Sequence, residues 1–230
     1  MSHPDYKSDP ELGLKVKENL ERLGLETPMT NLVNVDMNNK IETIEGYMRQ
    51  VLLALGLDLS DDSLMDTPSR VAKMYVREIF WGLDYKQFPK CTTITNKFGT
   101  KNSPGSFVIE RNVNVQSNCE HHLVVIDGKA CVAYIPREKV LGLSKLNRIV
   151  EFFAKRPQVQ ERLTEQIAAT ISFITGTPDV AVYLDAVHYC VKSRGIQDQG
   201  SSTSTLAVHG VFAEYESDIR REFLNLVRMS

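Results

Sequence analysis

The sequence predicts an α+β protein in which a helical N-terminal region precedes an antiparallel sheet. Three observations support this fold class: helical spacing of apolar residues over the first third, β-rich runs after residue 88, and two helical stretches between those runs. The order strand–strand–helix–helix–strand–strand is typical of α+β domains. We therefore predict a helical region over residues 1–88 and an α+β domain with a C-terminal helix over residues 89–230.

The helices of the N-terminal region have clear start and stop signals. Asp9 can cap the first helix, whose apolar residues recur every three or four positions before Gly24 ends it. Two more helices follow with similar spacing, and Thr67-Pro68 opens the later one. Their apolar stripes need partners, which neighbouring subunits can supply. The second and third helices are predicted over Asn39–Leu55 and 67–81.

The first strands of the predicted domain form a hairpin. Lys97–Ser106 carries the glycines and proline of a loop, and Phe107–Gln116 alternates loosely as a strand. Asp127-Gly128 lies between two β-rich runs, and this dipeptide favours a two-residue hairpin turn. We therefore predict that Asp127-Gly128 joins two strands, Leu123–Ile126 and Lys129–Ile135.

Two helices and two strands complete the predicted domain. Ser144 can cap the first helix, and Pro157 suits the first turn of the second. A strand over Val180–Val191 places His188 and Cys190 on one face, because side chains alternate along a strand. The last predicted elements are a strand over Leu206–Phe212 and a helix over Ser217–Met229.

Composition argues against several classes of protein. The formal net charge is −2 and 42% of residues are hydrophobic, which predicts a sizeable core and no general attraction to nucleic acid or membranes. No apolar run approaches the ~18 residues of a membrane span, and Met1–Pro10 lacks the apolar segment of a signal peptide. Four cysteines without such a signal predict reduced thiols in the cytoplasm.

Candidate metal ligands are concentrated in two short windows, Cys119–His122 and His188–Cys190. These windows contain two of the four cysteines and three of the five histidines. Cys119 and His122 are three residues apart, so one turn can direct both at one ion, and Cys190 can add a second thiolate. A Cys2His set with one position left for water is typical of catalytic zinc.

Two interpretations of these windows remain open on the residues alone. His121 or His188 can complete the metal shell, or either can stand beside the ion as a proton carrier. Alternatively, Cys119 and Cys190 are buried thiols or form a disulfide, and the histidines cap turns. The crowding of cysteine and histidine into both windows favours the metal site.

Basic and polar residues suggest a second feature, an anion site. Ser144, Lys145 and Arg148 lie on the first turns of one predicted helix, and Arg194 follows the strand that carries Cys190. On spacing alone, ordinary solvated surface charges explain this pattern better. Helical periodicity likewise places Glu161 at the surface.

Five motifs closely resemble those of the GTP cyclohydrolase I family, in the same order and at the same intervals. They are Thr67–Tyr75, Cys119–His122, Gly142–Arg148, Arg156–Thr164 and His188–Gly195. The resemblance extends from about Gly24 to Phe223, and the segment Gly200–Gly210 matches the family's Ser/Thr-rich loop less closely.

The resemblance implies a specific fold, assembly and reaction. The family has a tunnelling fold, an antiparallel sheet with two helices on one face, and its subunits form rings that stack as a homodecamer with active sites between subunits. Its members hydrolyse the imidazole ring of GTP, release C8 as formate and form 7,8-dihydroneopterin triphosphate. This is the first step of pterin and tetrahydrofolate biosynthesis.

The matched positions imply roles for individual residues. Cys119, His122 and Cys190 correspond to the zinc ligands, and His121 and His188 to the acid–base pair. A histidine titrates in the range needed to protonate guanine N7, and the sequence does not distinguish which of the two does so.

The remaining matched positions imply contacts to GTP. Glu161 corresponds to the guanine anchor, because its carboxylate can accept hydrogen bonds from guanine N1 and N2, a donor pair that adenine lacks. The resemblance thus overturns the surface assignment that periodicity gives Glu161. The other implied contacts are Gln160 beside the anchor and, for ribose and triphosphate, Ser144, Lys145, Arg148, Arg194 and Arg70.

Two rival functions can be compared with this one. A related tunnelling-fold enzyme for another purine- or pterin-like ligand would carry a covalent-capture cysteine without the Cys119–His122 tetrad. A non-catalytic zinc-stabilised ring that binds nucleotide would not need His121 and His188. The tetrad and the two additional histidines favour the cyclohydrolase.

Overall fold

The computed structural model describes residues 7–98 and 106–229. Most of the predicted loop Lys97–Ser106, and the first part of the predicted polar stretch Met1–Pro10, lie outside these ranges. The helices are α1 (Pro10–Arg22), α2 (Met37–Ala54), α3 (Thr67–Met74), α4 (Leu143–Ala154), α5 (Gln160–Thr175), α6 (Tyr189–Lys192) and α7 (Asp218–Arg228). The strands are β1 (Thr93–Thr95), β2 (Val108–Cys119), β3 (Val125–Tyr134), β4 (Lys139–Leu141), β5 (Pro157–Gln158), β6 (Val180–His188) and β7 (Thr203–Val208). None of the helices in the described ranges combines the length and apolarity required to cross a bilayer.

A five-stranded sheet in the order β5–β2–β3–β6–β7 forms the centre of the molecule. Its neighbouring strands are antiparallel except β2 and β5, which pair in parallel where Cys119 lies opposite Gln158. The small strands β1 and β4 form a separate antiparallel pair. This topology confirms the predicted α+β class with an antiparallel sheet.

The two faces of the sheet bury cores of different size. The larger core lies under α4 and α5, where Phe152 and Ile167 belong to the same buried cluster as Leu184 of β6. A smaller core on the opposite face packs Cys131 of β3 with Phe223 of α7. The sheet therefore has two helices on one face, as predicted, and the C-terminal helix on the other.

The N-terminal helices divide between the core and the surface. α1 packs Val16 and Leu20 into the larger core, and Asp9 caps this helix by accepting a hydrogen bond from the Leu12 amide at 3.0 Å, as predicted. α2 packs on α3 and buries Ile41, but it also exposes several large apolar side chains. These are Tyr47, Val51 and Leu53.

The predicted hairpin turn at Asp127-Gly128 is wrong, because both residues lie inside the continuous strand β3. A Cβ on Gly128 would lie 2.2 Å from the Asp185 carbonyl oxygen, so this glycine permits the close approach of β6. The dipeptide thus serves strand packing and not a turn. The actual turn of the hairpin lies at residues 120–124 and contains most of the Cys119–His122 tetrad.

Two predicted helix starts and one strand position are also wrong. The cap position of α4 is occupied by Gly142, whose carbonyl accepts a bond from the Lys145 amide at 2.8 Å, so Ser144 lies inside the first turn. Pro157 opens no helix, because pairing with β2 draws it into strand β5. The last strand, β7, ends at Val208, before most of its predicted range.

Arg156 connects the end of α4 to the N-terminal region. Its side chain is fully buried, and its guanidinium lies 3.1 Å from a carboxylate oxygen of Glu26. It also donates to the Gly82 carbonyl and stacks over the Tyr85 ring at 5.1 Å. Because Arg156 directly precedes β5, this ion pair anchors the strand that runs beside Cys119.

Candidate active site

Three side chains from two distant parts of the sequence meet at the end of β2. The sulfur atoms of Cys119 and Cys190, which are both free thiols, and a ring nitrogen of His122 all lie within 4.8 Å of one another. A tetrahedral ion with Zn–S bonds of ~2.3 Å and Zn–N bonds of ~2.0 Å would hold such atoms roughly 3.5–4 Å apart. Small side-chain rotations therefore suffice for all three to bind one ion, and this mixture of thiolate and imidazole fits zinc.

The last residue of β2 and the turn that follows it supply two of these candidate ligands. Cys119 is the last residue of β2, and its amide donates to the Val124 carbonyl at 2.8 Å across the turn. The Glu120 amide donates to the Gln158 carbonyl of β5 at 3.0 Å. Main-chain bonds therefore fix the turn on both sides, and the turn presents His122 to solvent while Cys119 stays buried.

Cys190 reaches the same point from a helical turn, which corrects the predicted continuous strand. β6 ends at His188, and the Ser193 amide then bonds to the Tyr189 carbonyl at 2.9 Å, which closes the turn. Cys190 therefore does not share a strand face with His188. Burial is the main cause that raises the pKa of Cys190, and the neighbouring Cys119 thiol is the second. A metal must displace this proton, so metal affinity should rise with pH.

His121 lies beside the ligand group with most of its ring exposed. Its Nδ1 is 3.7 Å from the Cys119 sulfur, and its Nε2 is 3.8 Å from a carboxylate oxygen of Glu120. The ring is therefore close to the candidate metal position and also open to solvent. This placement suits a group that exchanges protons.

His188 is held by the buried side chain of Gln160. The Gln160 amide nitrogen donates to the carbonyls of Thr203 and Leu184, at 2.8 and 3.2 Å. The Gln160 oxygen therefore faces His188 Nε2, 2.7 Å away, and that ring nitrogen must carry a proton. Burial lowers the pKa of His188, and the charge of Glu161 partly opposes this effect.

The other predicted GTP contacts are not all in one place. Glu161 is exposed in the first turn of α5, next to Gln160, and Arg194 is exposed shortly after α6. Both lie close enough to affect the titration of His188 or Cys190. Arg70, by contrast, is exposed on α3, where it pairs with Asp66 at 3.4 Å.

Ser144, Lys145 and Arg148 lie far from the ligand group within one chain. Asn147, on the same helical turns, donates to Glu110 near the start of β2 at 3.2 Å, whereas the metal ligands lie at the end of that strand. α4 has 12 residues. At ~1.5 Å per residue it spans about 18 Å, so its N-terminus and the ligand group are at opposite ends of the strand.

Comparisons with known proteins agree with the motifs. The family model described as GTP cyclohydrolase I matches residues 44–228 of this chain. The chain belongs to the GTP cyclohydrolase I family. Three relatives named GTP cyclohydrolase 1 match nearly end to end. That of Vibrio campbellii (strain ATCC BAA-1116) is 55% identical and covers 93% of this chain and 95% of its own length. That of Shewanella sp. (strain ANA-3) is 54% identical, with 94% and 97% covered. That of Enterobacter sp. (strain 638) is 53% identical, with 93% and 94% covered.

Membership of the GTP cyclohydrolase I family makes this chain an enzyme, a hydrolase of GTP.

The sequence motifs assign no role to two residues beside the candidate site, Glu120 and Arg162. Arg162 of α5 lies 2.7 Å from a carboxylate oxygen of Glu120 and so ties the turn to that helix. Glu120 is part of the tetrad and Arg162 directly follows Glu161, so both were visible in the motifs. Their pairing depends on tertiary structure, which the motifs do not specify.

Proposed function

We propose that this member of the GTP cyclohydrolase I family uses zinc and water to open the imidazole ring of GTP. The products are formate, which carries C8, and 7,8-dihydroneopterin triphosphate, which forms after the ribose rearranges. The observation that carries the proposal is the meeting of Cys119, His122 and Cys190 within 4.8 Å, with His121 beside one of the thiols.

Cys119, His122 and Cys190 are the proposed zinc ligands. When bound there, zinc would lower the pKa of a coordinated water toward ~7 and so supply a nucleophile at neutral pH. Two thiolates and one imidazole satisfy three of the four positions that zinc usually fills. Access from solvent is on the side of His122, the exposed member of the group.

His121 and His188 are the proposed proton carriers. C8 of a purine is a poor electrophile, and a proton on N7 makes it a better one. The bond from His188 Nε2 to Gln160 leaves Nδ1 as the His188 nitrogen that can exchange a proton with the substrate. His121 is more exposed and can exchange protons with solvent during the later steps.

Glu161 is the proposed guanine anchor. Its carboxylate can accept hydrogen bonds from guanine N1 and N2, and an adenine ring in the same place would leave it unsatisfied. Its exposure in the first turn of α5 leaves the carboxylate accessible to a ligand. Gln160 lies next to it and would help to orient the substrate through His188.

The proposed ribose and triphosphate contacts require more than one chain. Arg194 lies on the same side as the ligand group, whereas the N-terminus of α4 lies at the other end of β2. A second subunit would therefore have to supply the α4 residues to each site. This separation supports a homo-oligomer with active sites between subunits, and we propose the decamer of the family. The contacts in question are Ser144, Lys145, Arg148 and, from α3, Arg70.

Exposed surfaces of the chain also support assembly. α2 exposes Tyr47, Val51 and Leu53, and β7 is an outer strand of the five-stranded sheet among the described residues. Both surfaces are available for contacts between subunits.

For the fold, we propose the tunnelling fold of the family, with residues 1–88 as the helical region and residues 89–230 as the catalytic domain. The free thiols agree with the cytoplasmic location that we propose.

Metal content and formate release, measured on one preparation, test this proposal. We expect about one zinc per subunit and a fluorescent pterin formed from GTP together with an equal amount of formate. His121→Ala should retain zinc but lose turnover, because it removes a proton carrier and no ligand. A regulatory zinc protein would bind GTP without releasing formate. Formate release by zinc-free protein, or unchanged release by His121→Ala, would contradict the proposed mechanism.

A further inference from the structure

The turn that carries His122 contains a left-handed residue that is not glycine. Leu123 has a φ of 54°, a conformation that glycine and asparagine adopt far more readily than leucine. The residue is 40% exposed. Burial of the leucine side chain therefore does not explain why this backbone conformation is maintained.

Hydrogen bonds on both sides of Leu123 explain it better. The Leu123 amide donates to the Cys119 carbonyl at 2.8 Å, and the Cys119 amide donates to the Val124 carbonyl at 2.8 Å. The buried side-chain amide of Asn118 donates to the Leu123 carbonyl at 3.1 Å. These bonds close the turn only if the chain reverses direction at Leu123.

We propose that Leu123 and Asn118 are positioning residues for the metal, acting through this backbone conformation. The inference rests on the zinc ligands proposed above. The left-handed residue follows His122 directly, so it sets where the His122 ring lies relative to Cys119. Should Leu123 relax to an extended or right-handed conformation, the turn would open and His122 would move away from the thiols. Metal binding would then have to restore the turn, and affinity would fall.

Two substitutions at Leu123 separate the effect of the backbone from that of the side chain. Leu123→Ile keeps the size and apolar character of the side chain but moves the branch to Cβ, which strongly disfavours left-handed backbone. Leu123→Asn discards the apolar side chain but tolerates that backbone. We expect the zinc dissociation constant to rise about tenfold or more for Leu123→Ile and to stay within about threefold for Leu123→Asn.

Zinc affinity is measured on the full, initially metal-free chain by competition with a chromophoric chelator at one pH. Thermal unfolding of each metal-free variant checks that it is folded. A larger loss for Leu123→Asn than for Leu123→Ile would assign the effect to the side chain and overturn the proposal. Equal affinities in wild type and both variants would also overturn it. If the wild type binds no zinc, the proposed ligand set fails, and this inference fails with it.

Asn118 provides a second test from outside the turn, which remains informative even if Leu123→Ile does not fold. Asn118→Ala removes the donor to the Leu123 carbonyl and should weaken zinc binding about three- to tenfold. Because both residues act through one conformation, the losses should not add in the double variant Asn118→Ala/Leu123→Ile. Unchanged affinity in Asn118→Ala, or full additivity, would overturn the role of Asn118.

Discussion

The two ends of strand β2 differ in how completely one chain builds them. At the metal end, Cys119, His122 and Cys190 meet within 4.8 Å although Cys190 comes from a distant part of the sequence. At the cation end, Lys145 and Arg148 lie on the first turns of α4, near the start of β2. One chain therefore brings all three candidate metal ligands together, whereas its α4 cations lie toward the other end of β2.

This difference follows from the range of the interactions involved. Ligands that share one ion must lie within a few ångströms of each other, which the fold of one chain achieves most reliably. Lysine and arginine have long side chains and act on phosphates over larger distances, so a neighbouring subunit can provide them. We infer that the chemistry is built within the subunit and that much of the triphosphate binding depends on assembly.

The largest effect is expected at the metal end. Cys190→Ala should abolish zinc binding and lower formate release by at least ~10³-fold, because the metal supplies several kcal/mol of transition-state stabilisation. Zinc is measured by elemental analysis of the purified variant. Cys91→Ala is the matched control, since it removes a thiol outside the ligand group and should retain zinc and activity. Stoichiometric zinc in Cys190→Ala would show that the metal end is wrongly assigned.

The next largest effect is expected at the ion pair between Arg156 and Glu26, which anchors the strand beside Cys119. Arg156→Met leaves the nearly buried Glu26 carboxylate without its cationic partner, so we expect a loss of about 3–5 kcal/mol in the free energy of unfolding. Urea unfolding at fixed protein concentration measures this. In the double variant Glu26→Gln/Arg156→Met, the unpaired charge is gone and part of the stability should return. A single variant that unfolds at the wild-type urea concentration would mean that the ion pair does not stabilise this end.

Local sequence signals predicted the parts of the fold that depend on local interactions. The prediction that Asp9 caps α1 is confirmed, because capping involves residues within one turn. The prediction that Asp127-Gly128 forms a turn is wrong, because pairing with strands on both sides overrides the preference of the dipeptide. The helical turn that carries Cys190 was also missed, since the apolar alternation of β6 continues beyond the point where the strand ends.

The sequence predicts which residues belong to the candidate site, but it does not predict which of them meet within one chain. Lys145 is nearer to Cys119 in the sequence than Cys190 is, yet Cys190 meets Cys119 and Lys145 does not. Distance along the chain therefore gave no guide to distance in space. The contact between His188 and Gln160 was likewise hidden, because it depends on the packing of α5 against β6.

A mixing experiment tests the division between the two ends directly. Co-expression of Cys190→Ala with the double variant Lys145→Ala/Arg148→Ala should restore activity that neither has alone. Random assembly would give about a quarter of the sites an intact metal end and an intact cation end from different subunits. As a control, a mixture of Cys119→Ala and Cys190→Ala should recover nothing, because both ligands must come from one chain. No recovery in the first mixture would place both ends of each site in the same subunit.

The smallest effect is expected at a titrating pair that belongs to neither end. The hydrogen bond from His209 Nε2 to Glu165, at 2.9 Å, raises the pKa of His209. Its contribution to stability is therefore complete below the unfolded-state pKa of about 6.5 and is lost as pH rises through the higher folded-state pKa. The two side chains are 44% and 37% exposed. Solvent screening should limit the contribution to at most ~0.5 kcal/mol.

At pH values below about 6, His209→Gln should accordingly cause a small decrease in the urea midpoint of the metal-free protein. Above about pH 8 the substitution should leave the midpoint unchanged. Formate release by the zinc-loaded protein should be unchanged, because this pair contacts neither the metal end nor the cation end in the subunit. A loss of stability that is equal at both pH values would indicate packing and not charge. A loss of formate release would extend the active site beyond the two ends of β2, because the assembled neighbour would then have to bring His209 to the substrate.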